Sequence, residues 1–193
     1  MRRAAIALLA AVLLAPPAWS QGAAPSARAP GAALQRDLDR AFEALREAPD
    51  EQGARMAEAV IRQLWSRQAS AAVALLLNRG IRNLRGNNAA DALEDFDAAI
   101  VLAPTLADAW HWRAQANAAA GETLAAAADL RECLRLEPRH FPALVTLARL
   151  QEEAGDARGA LRSFEAALAL HPRLPGGAER LRELTREAEG EEM

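Results

Sequence analysis

The segments AAIVLAP (residues 98–104), ECLRLEP (132–138) and AALALHP (166–172) decide the fold of this chain. Each is a short, mostly apolar phrase that closes on a proline, and both intervals between the closing prolines are 34 residues. A fixed period of this length predicts a solenoid of stacked helix–turn–helix units, because each unit buries its apolar face against the next. A solenoid of this kind points to binding rather than to catalysis.

Counting back from the prolines divides the repetitive block into units 73–106, 107–140 and 141–174. The eighth, twentieth and twenty-seventh positions of each unit hold small residues, and the twenty-fourth holds a large apolar one. Small residues let two helices approach closely, and the large residue fills the gap beside them. The pattern predicts an all-α fold. In chain order the small residues are Gly80, Ala92, Ala99, Ala114, Ala126, Cys133, Ala148, Ala160 and Ala167, and the large ones are Phe96, Leu130 and Phe164.

These units resemble tetratricopeptide repeats, in which the same positions carry the same sizes of side chain. The phrases LLLNRG (75–80) and LEPRHFPAL (136–144) are moreover similar to a group of exported bacterial tetratricopeptide proteins without an assigned role. The resemblance covers nearly the whole chain. It implies a right-handed α-α superhelix, and it places Cys133 in a buried structural position rather than a reactive one.

Two flanking helical regions are less regular than the units. Residues 32–72 form a degenerate helical pair that we expect to cap the N-terminal end of the solenoid, because solenoid ends need an atypical, solvent-tolerant element. Residues 175–193 give a short amphipathic capping helix and a fraying tail. Residues 21–31 are small and aperiodic, which is typical of a flexible leader.

The N-terminus has the three parts of a secretory signal peptide over residues 1–20. Two arginines precede an apolar run at 4–15, and small residues at Ala18 and Ser20 offer a cleavage site. An uncleaved membrane anchor is the alternative, but 12 apolar residues are short for a bilayer core. Cleavage predicts a periplasmic protein without a stable membrane anchor. It would take the net charge from −3 to −5, since Arg2 and Arg3 are lost, and an acidic chain disfavours a nucleic-acid partner.

The resemblance implies a concave groove lined by the first helix of each unit. The candidate lining residues are Leu77, Asn78, Ile81, Arg85, Asp108, His111, Trp112, Gln115, Val145, Thr146, Arg149 and Glu152. Of these, the polar and aromatic side chains are the predicted peptide-binding set: Asn78, Arg85, His111, Trp112, Gln115, Arg149 and Glu152. The carboxylate clamp of some family members is absent, because Leu77, Ile81, Pro142 and Thr146 stand where polar or basic residues would be required.

Three residues of this pattern have two interpretations each. Trp112 either contacts a ligand in the groove or packs under a neighbouring helix. Arg79 and Arg113 stand where the family usually has leucine, so they form either structural ion pairs with Asp91, Asp95 or Asp129 or a ligand-facing ladder.

Motifs for catalysis, metals and cofactors are missing from the sequence. The three histidines and the single cysteine have no metal-ligand spacing, and no glycine-rich phosphate loop occurs. We therefore expect no metal, no cofactor and no enzymatic activity. The predicted function is a protein-interaction scaffold that receives a peptide or helix in its groove. The alternative is a structural or assembly subunit of an envelope complex that docks through its edge or leading helices, and the oligomeric state stays open.

Overall fold

The computed structural model describes residues 30–190, so the predicted signal peptide, most of the leader and the last three residues lie outside the described part. Those 161 residues form helices joined by short turns and contain no strand, which confirms the all-α prediction. None of these helices is long and apolar enough to span a bilayer. In chain order they are α1 (Pro30–Arg46), α2 (Glu51–Ser66), α3 (Ala71–Arg85), α4 (Ala89–Leu102), α5 (Ala107–Ala119), α6 (Thr123–Leu136), α7 (Phe141–Glu153), α8 (Ala157–Leu170) and α9 (Gly177–Gly190).

The helices α3–α8 form the three units, and the small and large positions of the repeat are all buried. The first unit shows how close this approach is, because a Cβ on Gly80 would lie 2.5 Å from the Phe96 ring. The large side chain of the second helix therefore occupies the volume that a side chain at Gly80 would need. The same kind of turn joins the two helices of each unit. One residue of each turn has a left-handed backbone: Asn87 at φ +58°, Gly121 at +82° and Gly155 at +79°.

A polar network joins the two helices of the first unit and is repeated in the second. Arg79 pairs with the buried carboxylate of Asp95, which also accepts a hydrogen bond from Asn83 at 3.1 Å. This arrangement confirms the structural ion pair predicted for Arg79.

The second unit has the same network at the same positions. Arg113 binds both oxygens of Asp129, at 2.9 and 2.6 Å, and Asn117 donates to the same carboxylate at 2.9 Å. The prediction for Arg113 is therefore confirmed as well. In the third unit a single hydrogen bond from Ser163 to Gln151, 2.6 Å long, takes its place.

The helical pair α1–α2 does not stack on the first unit as the predicted N-terminal cap would. Its apolar faces share one core with Phe141 and Ala167 of the third unit. Polar contacts also hold it there: Arg139 pairs with Asp39 at 2.7 Å, and Arg173 Nε donates to the Ala48 carbonyl at 2.6 Å. The pair therefore lies along the loops that join the units.

The register of the repeat explains this departure. Counted 34 residues back, Trp65 stands at the small twenty-seventh position and Glu58 at the small twentieth. An indole and a carboxylate cannot enter the close contact that alanines make there, so α2 cannot pack as a regular second helix. At the other end, α9 packs on α8 through Leu184 and covers Phe164 and Ala160, as expected for a capping helix.

Candidate functional site

A cavity of about 460 Å³ lies where α2 meets the concave side of the solenoid. Its walls come from α2, from the first helices of units two and three, and from the loop before α9. Because α2 forms one wall, the groove is closed along one edge. The lining residues are Glu58, Arg62, Trp65, Asp108, His111, Trp112, Gln115, His140, Phe141, Pro142, Val145, Thr146 and Leu174.

His111 is the buried polar centre of this cavity. Its Nε2 lies 3.2 Å from the Thr146 hydroxyl and 3.1 Å from the side-chain amide of Gln115. Burial holds the pKa of His111 well below its usual value of 6.5, and the nearby His140 and Arg62 lower it further. His111 is therefore neutral at physiological pH and acts as a hydrogen-bonding group rather than a cation.

His140 and Asp108 complete a three-residue cluster with His111, in which the possible ligand atoms lie within 4.8 Å of one another. Sequence spacing did not reveal this cluster, because His140 lies 32 residues after Asp108, at the far end of the second unit, where it caps α7. The backbone N–H of Ala143 donates to His140 Nδ1 at 3.1 Å, so the ring proton is on Nε2, which donates to Asp108 at 2.9 Å. This tautomer gives His140 no free nitrogen for a cation, and the cluster fits a hydrogen-bonded network better than a metal centre.

Two tryptophans form the aromatic walls of the cavity. Trp112 is half-buried and stacks on Phe96, with ring centroids 6.5 Å apart, so it both packs against α4 and faces the cavity. Trp65 comes from α2 and stacks on His140. Trp65 thus borders His140, and Trp112 borders His111, with ring centroids 5.7 Å apart.

The rim of the cavity carries a charged pair from α2. Glu58 binds Arg62 and lies 3.4 Å from His171 Nε2. The hydrogen bond from His171 and the contacts with Arg62 lower the pKa of Glu58 to about 2, against the opposing effect of burial. The carboxylate is ionised over the whole physiological range, and Arg62 is already neutralised.

The structure brings together three of the seven predicted peptide-binding residues: His111, Trp112 and Gln115 line the cavity. Asn78 and Arg85 are exposed on α3 and do not line it. Arg85 lies in the last turn of α3 at the thirteenth position of its unit, one place beyond the groove-lining stripe.

The other two predicted residues lie near the C-terminal cap. Arg149 pairs with Glu153 at 2.5 Å, and Glu152 pairs with Arg180 of α9. Sequence reasoning also missed the α2 residues of the cavity, Glu58, Arg62 and Trp65. The 34-residue period does not predict a groove position for these residues. They reach the groove only because α2 packs beside it in the folded chain.

Cys133 is not available as a nucleophile. The thiol is fully buried in the core of the second unit, and burial raises its pKa well above the usual value. This agrees with the structural role predicted for it.

Comparisons with known proteins agree with the fold. No family model matches the chain. A TPR repeat-containing protein of Rhizobium etli is 30% identical over 135 residues, which cover 70% of this chain and 66% of that relative, just under two thirds of its length.

Two solved structures show the same architecture at low sequence identity. The first TPR of Spaghetti (RPAP3), bound to the HSP90 peptide SRMEEVD, has a TM-score of 0.57 at 15% identity and covers 62% of this chain and 95% of its own. The TPR2B domain of yeast Sti1, in its complex with pHsp70, has a TM-score of 0.57 at 21% identity, with coverages of 63% and 99%. The repeat positions, the stacked helical pairs and these comparisons agree: the chain belongs to the tetratricopeptide-repeat proteins.

Proposed function

We propose that this protein is a non-catalytic interaction scaffold, and that its binding site is the cavity between α2 and the first helices of units two and three. The observation that carries the proposal is the position of Trp112, His111 and Gln115 on the inward-facing stripe of α5. The stripe presents one aromatic, one buried polar and one amide side chain to the same space. Peptide-bound relatives with this architecture support a protein or peptide partner.

The size of the cavity suits part of a peptide, such as one large side chain and the backbone beside it. The cavity has about 460 Å³, which is within the range of small-ligand pockets. A short extended segment can place one side chain against the half-buried Trp112 and its backbone against the polar centre.

The chemistry of the lining favours a neutral, apolar ligand. The neutral His111 and the amide of Gln115 suit the N–H and C=O groups of a peptide backbone, whereas the charge of Arg62 is already met by Glu58. Trp65 and Trp112 suit an aromatic or branched aliphatic side chain. The ligand class is therefore a peptide with a large apolar residue rather than an acidic terminus.

Structural roles of the histidines support the non-catalytic part of the proposal. His140 uses both ring nitrogens to hold the start of α7 and Asp108, and His111 is desolvated among Thr146 and Gln115. The Thr146 hydroxyl beside His111 donates to the Pro142 carbonyl at 3.0 Å, so its proton is not directed at the imidazole as in an activated nucleophile.

Export to the periplasm is proposed from the sequence of residues 1–20 alone, which lie outside the described part. Fusing residues 1–30 to a reporter phosphatase that folds only in an oxidising compartment tests it. We expect the fusion to be active and to lose its activity when the apolar run carries Leu8→Arg and Leu13→Arg. An inactive wild-type fusion contradicts the proposal.

The binding proposal is tested by selecting peptides on the full chain from a random 12-residue phage library. Selected peptides should contain a large apolar residue, and their affinity should fall about tenfold or more for Trp112→Ala, a loss typical of a tryptophan anchor. Leu124→Ala, at an exposed apolar position on α6, is the matched control and should bind normally. Circular dichroism must show that both variants stay folded.

Gln115→Glu provides a second variant that leaves the aromatic walls in place. It adds a charge beside the neutral His111 and should weaken the same peptides. Peptides that bind wild type, Trp112→Ala and Gln115→Glu equally well would exclude this cavity as the binding site.

A further inference from the structure

The first unit exposes a face that its two successors bury. In units two and three, the third and tenth positions of the first helix pack on the preceding unit, and Ala109, Ala116, Ala143 and Leu150 are all buried there. The equivalent residues of the first unit are Leu75, which is 66% exposed, and Arg82, which is also exposed. The face is open because α1–α2 packs along the inter-unit loops instead of stacking on α3.

The second unit shows what kind of surface such a face receives. Its helix α5 packs against α4, which presents small and apolar side chains to Ala109 and Trp110. Beside that contact, Arg113 reaches back across the boundary and donates to Asp97 of α4 at 2.7 Å. The incoming helix therefore provides an apolar stripe and one carboxylate.

Arg79 is the counterpart of Arg113 and lacks this second partner. Both arginines bind the aspartate of their own unit, but the Arg79 side chain is 59% exposed whereas that of Arg113 is 23% exposed. Among the described residues, no carboxylate of a preceding helix meets Arg79, and Arg82 one turn further forms no ion pair. The open face thus combines the apolar Leu75 with two exposed arginines on the same side of α3, of which Arg79 is paired only with Asp95 and Arg82 forms no ion pair among the described residues.

We infer that this face, formed by Leu75, Arg79 and Arg82, is a docking surface for an amphipathic helix of a partner protein, with an apolar stripe flanked by carboxylates. Charge complementarity and the internal template of α4 on α5 determine this occupant. The surface is separate from the cavity around Trp112. An experiment can therefore contradict the docking proposal without contradicting the proposed peptide-binding cavity, and the reverse.

The test uses the helix that occupies the equivalent face in this chain. The probe is a fluorescently labelled peptide of residues 88–104, kept helical by a lactam between Glu94 and a lysine introduced by Ala90→Lys, because both positions are exposed on α4. Its binding to the full chain is measured by fluorescence anisotropy at low salt.

We expect saturable binding that Leu75→Asp weakens about tenfold or more. Asp97→Asn in the probe should weaken it about fivefold, with the loss disappearing at high salt. Leu124→Asp, which changes an exposed leucine elsewhere, and Trp112→Ala, which alters the cavity, should leave probe binding unchanged.

Three results would overturn the inference. One is the absence of saturable binding by the probe, and another is binding that Leu75→Asp leaves intact. The third is a dimer of the full chain in sedimentation velocity that Leu75→Asp dissociates, because it would assign the face to a second copy of this chain.

Discussion

Trp65 of α2 stacks on His140 at the boundary of units two and three, with ring centroids 4.6 Å apart and planes 12° from parallel. This contact connects the leading helical pair to the solenoid, and it also forms one wall of the candidate binding cavity. Phe42 and Phe141 lie against the same indole at 6.0 and 6.1 Å. Trp65 therefore contributes both to the placement of α1–α2 and to the shape of the site.

Replacing Trp65 should detach or loosen the leading pair. Trp65→Ala removes a buried indole and leaves a cavity, so we expect a loss of about 3–5 kcal/mol in the free energy of unfolding. Met56→Ala on the exposed side of α2 is the matched control and should cost less than about 0.5 kcal/mol. Urea denaturation monitored by circular dichroism measures both changes, and equal stability of the two variants would mean that the stack does not hold the pair.

The close contact between Gly80 and Phe96 predicts that the stability of the first unit depends on the combined size of these two side chains. Gly80→Val should destabilise the first unit by about 1–3 kcal/mol, because the Phe96 ring occupies the required volume. Adding Phe96→Leu should recover part of that loss, because the second unit combines Ala114 with Leu130.

A double-mutant cycle in urea measures the coupling between Gly80 and Phe96. Additive effects of the two substitutions would contradict a direct clash. Gly190→Ala, where a Cβ has no neighbour within 4 Å, provides the control.

Arg113 binds one buried and one exposed carboxylate, so the contributions of the two ion pairs to stability can be compared. Asp129 is 6% exposed and bound by two residues, whereas Asp97 is 59% exposed. Asp129→Ala leaves Arg113 and Asn117 without their buried partner and should cost about 3 kcal/mol or more. Asp97→Ala should cost less than about 1 kcal/mol. Similar losses for the two variants, measured by thermal or urea unfolding, would mean that the buried network does not stabilise the unit.

His111 should make stability depend on pH below neutrality. Its pKa in the folded state lies well below the unfolded value of 6.5, so the unfolded chain binds more protons as the pH falls. The stabilisation is complete above about pH 6.5 and is lost below it, by up to about 1.4 kcal/mol per pH unit.

Urea unfolding of wild type and His111→Gln between about pH 5 and 7.5 isolates this contribution, because the other titrating groups are common to both proteins. The wild-type free energy of unfolding should fall more steeply towards pH 5 than that of the variant. Parallel pH profiles would contradict a buried neutral imidazole.

The repeat positions could be predicted from the sequence because they are set by contacts within a unit. Gly80 and Phe96 are 16 residues apart, and the same spacing recurs in Ala114–Leu130 and Ala148–Phe164. The ion pairs of Arg79 and Arg113 have this spacing too, which is why Asp95 and Asp129 could be named as partners. Three of the predicted groove residues meet in the cavity because they share the stripe of one helix, α5.

The placement of α1–α2 could not be predicted in this way. Its contacts join distant segments, as in Asp39–Arg139 and Ala48–Arg173, which are 100 and 125 residues apart in the chain. Neither pair belongs to the 34-residue period, so no repetition indicates which surfaces meet. The cluster of Asp108, His111 and His140 was not predicted for a related reason, since α5 and the residue that caps α7 meet only when the second and third units stack.

The sequence by itself determined the solenoid, its three units and the residues that let their helices approach, because these depend on local periodicity and side-chain size. Only the tertiary structure decided that the leading pair closes one edge of the groove and leaves the face around Leu75 open. The reason is physical: a helix with Trp65 where the repeat requires a small residue cannot stack on α3, and it buries its apolar face against the third unit instead.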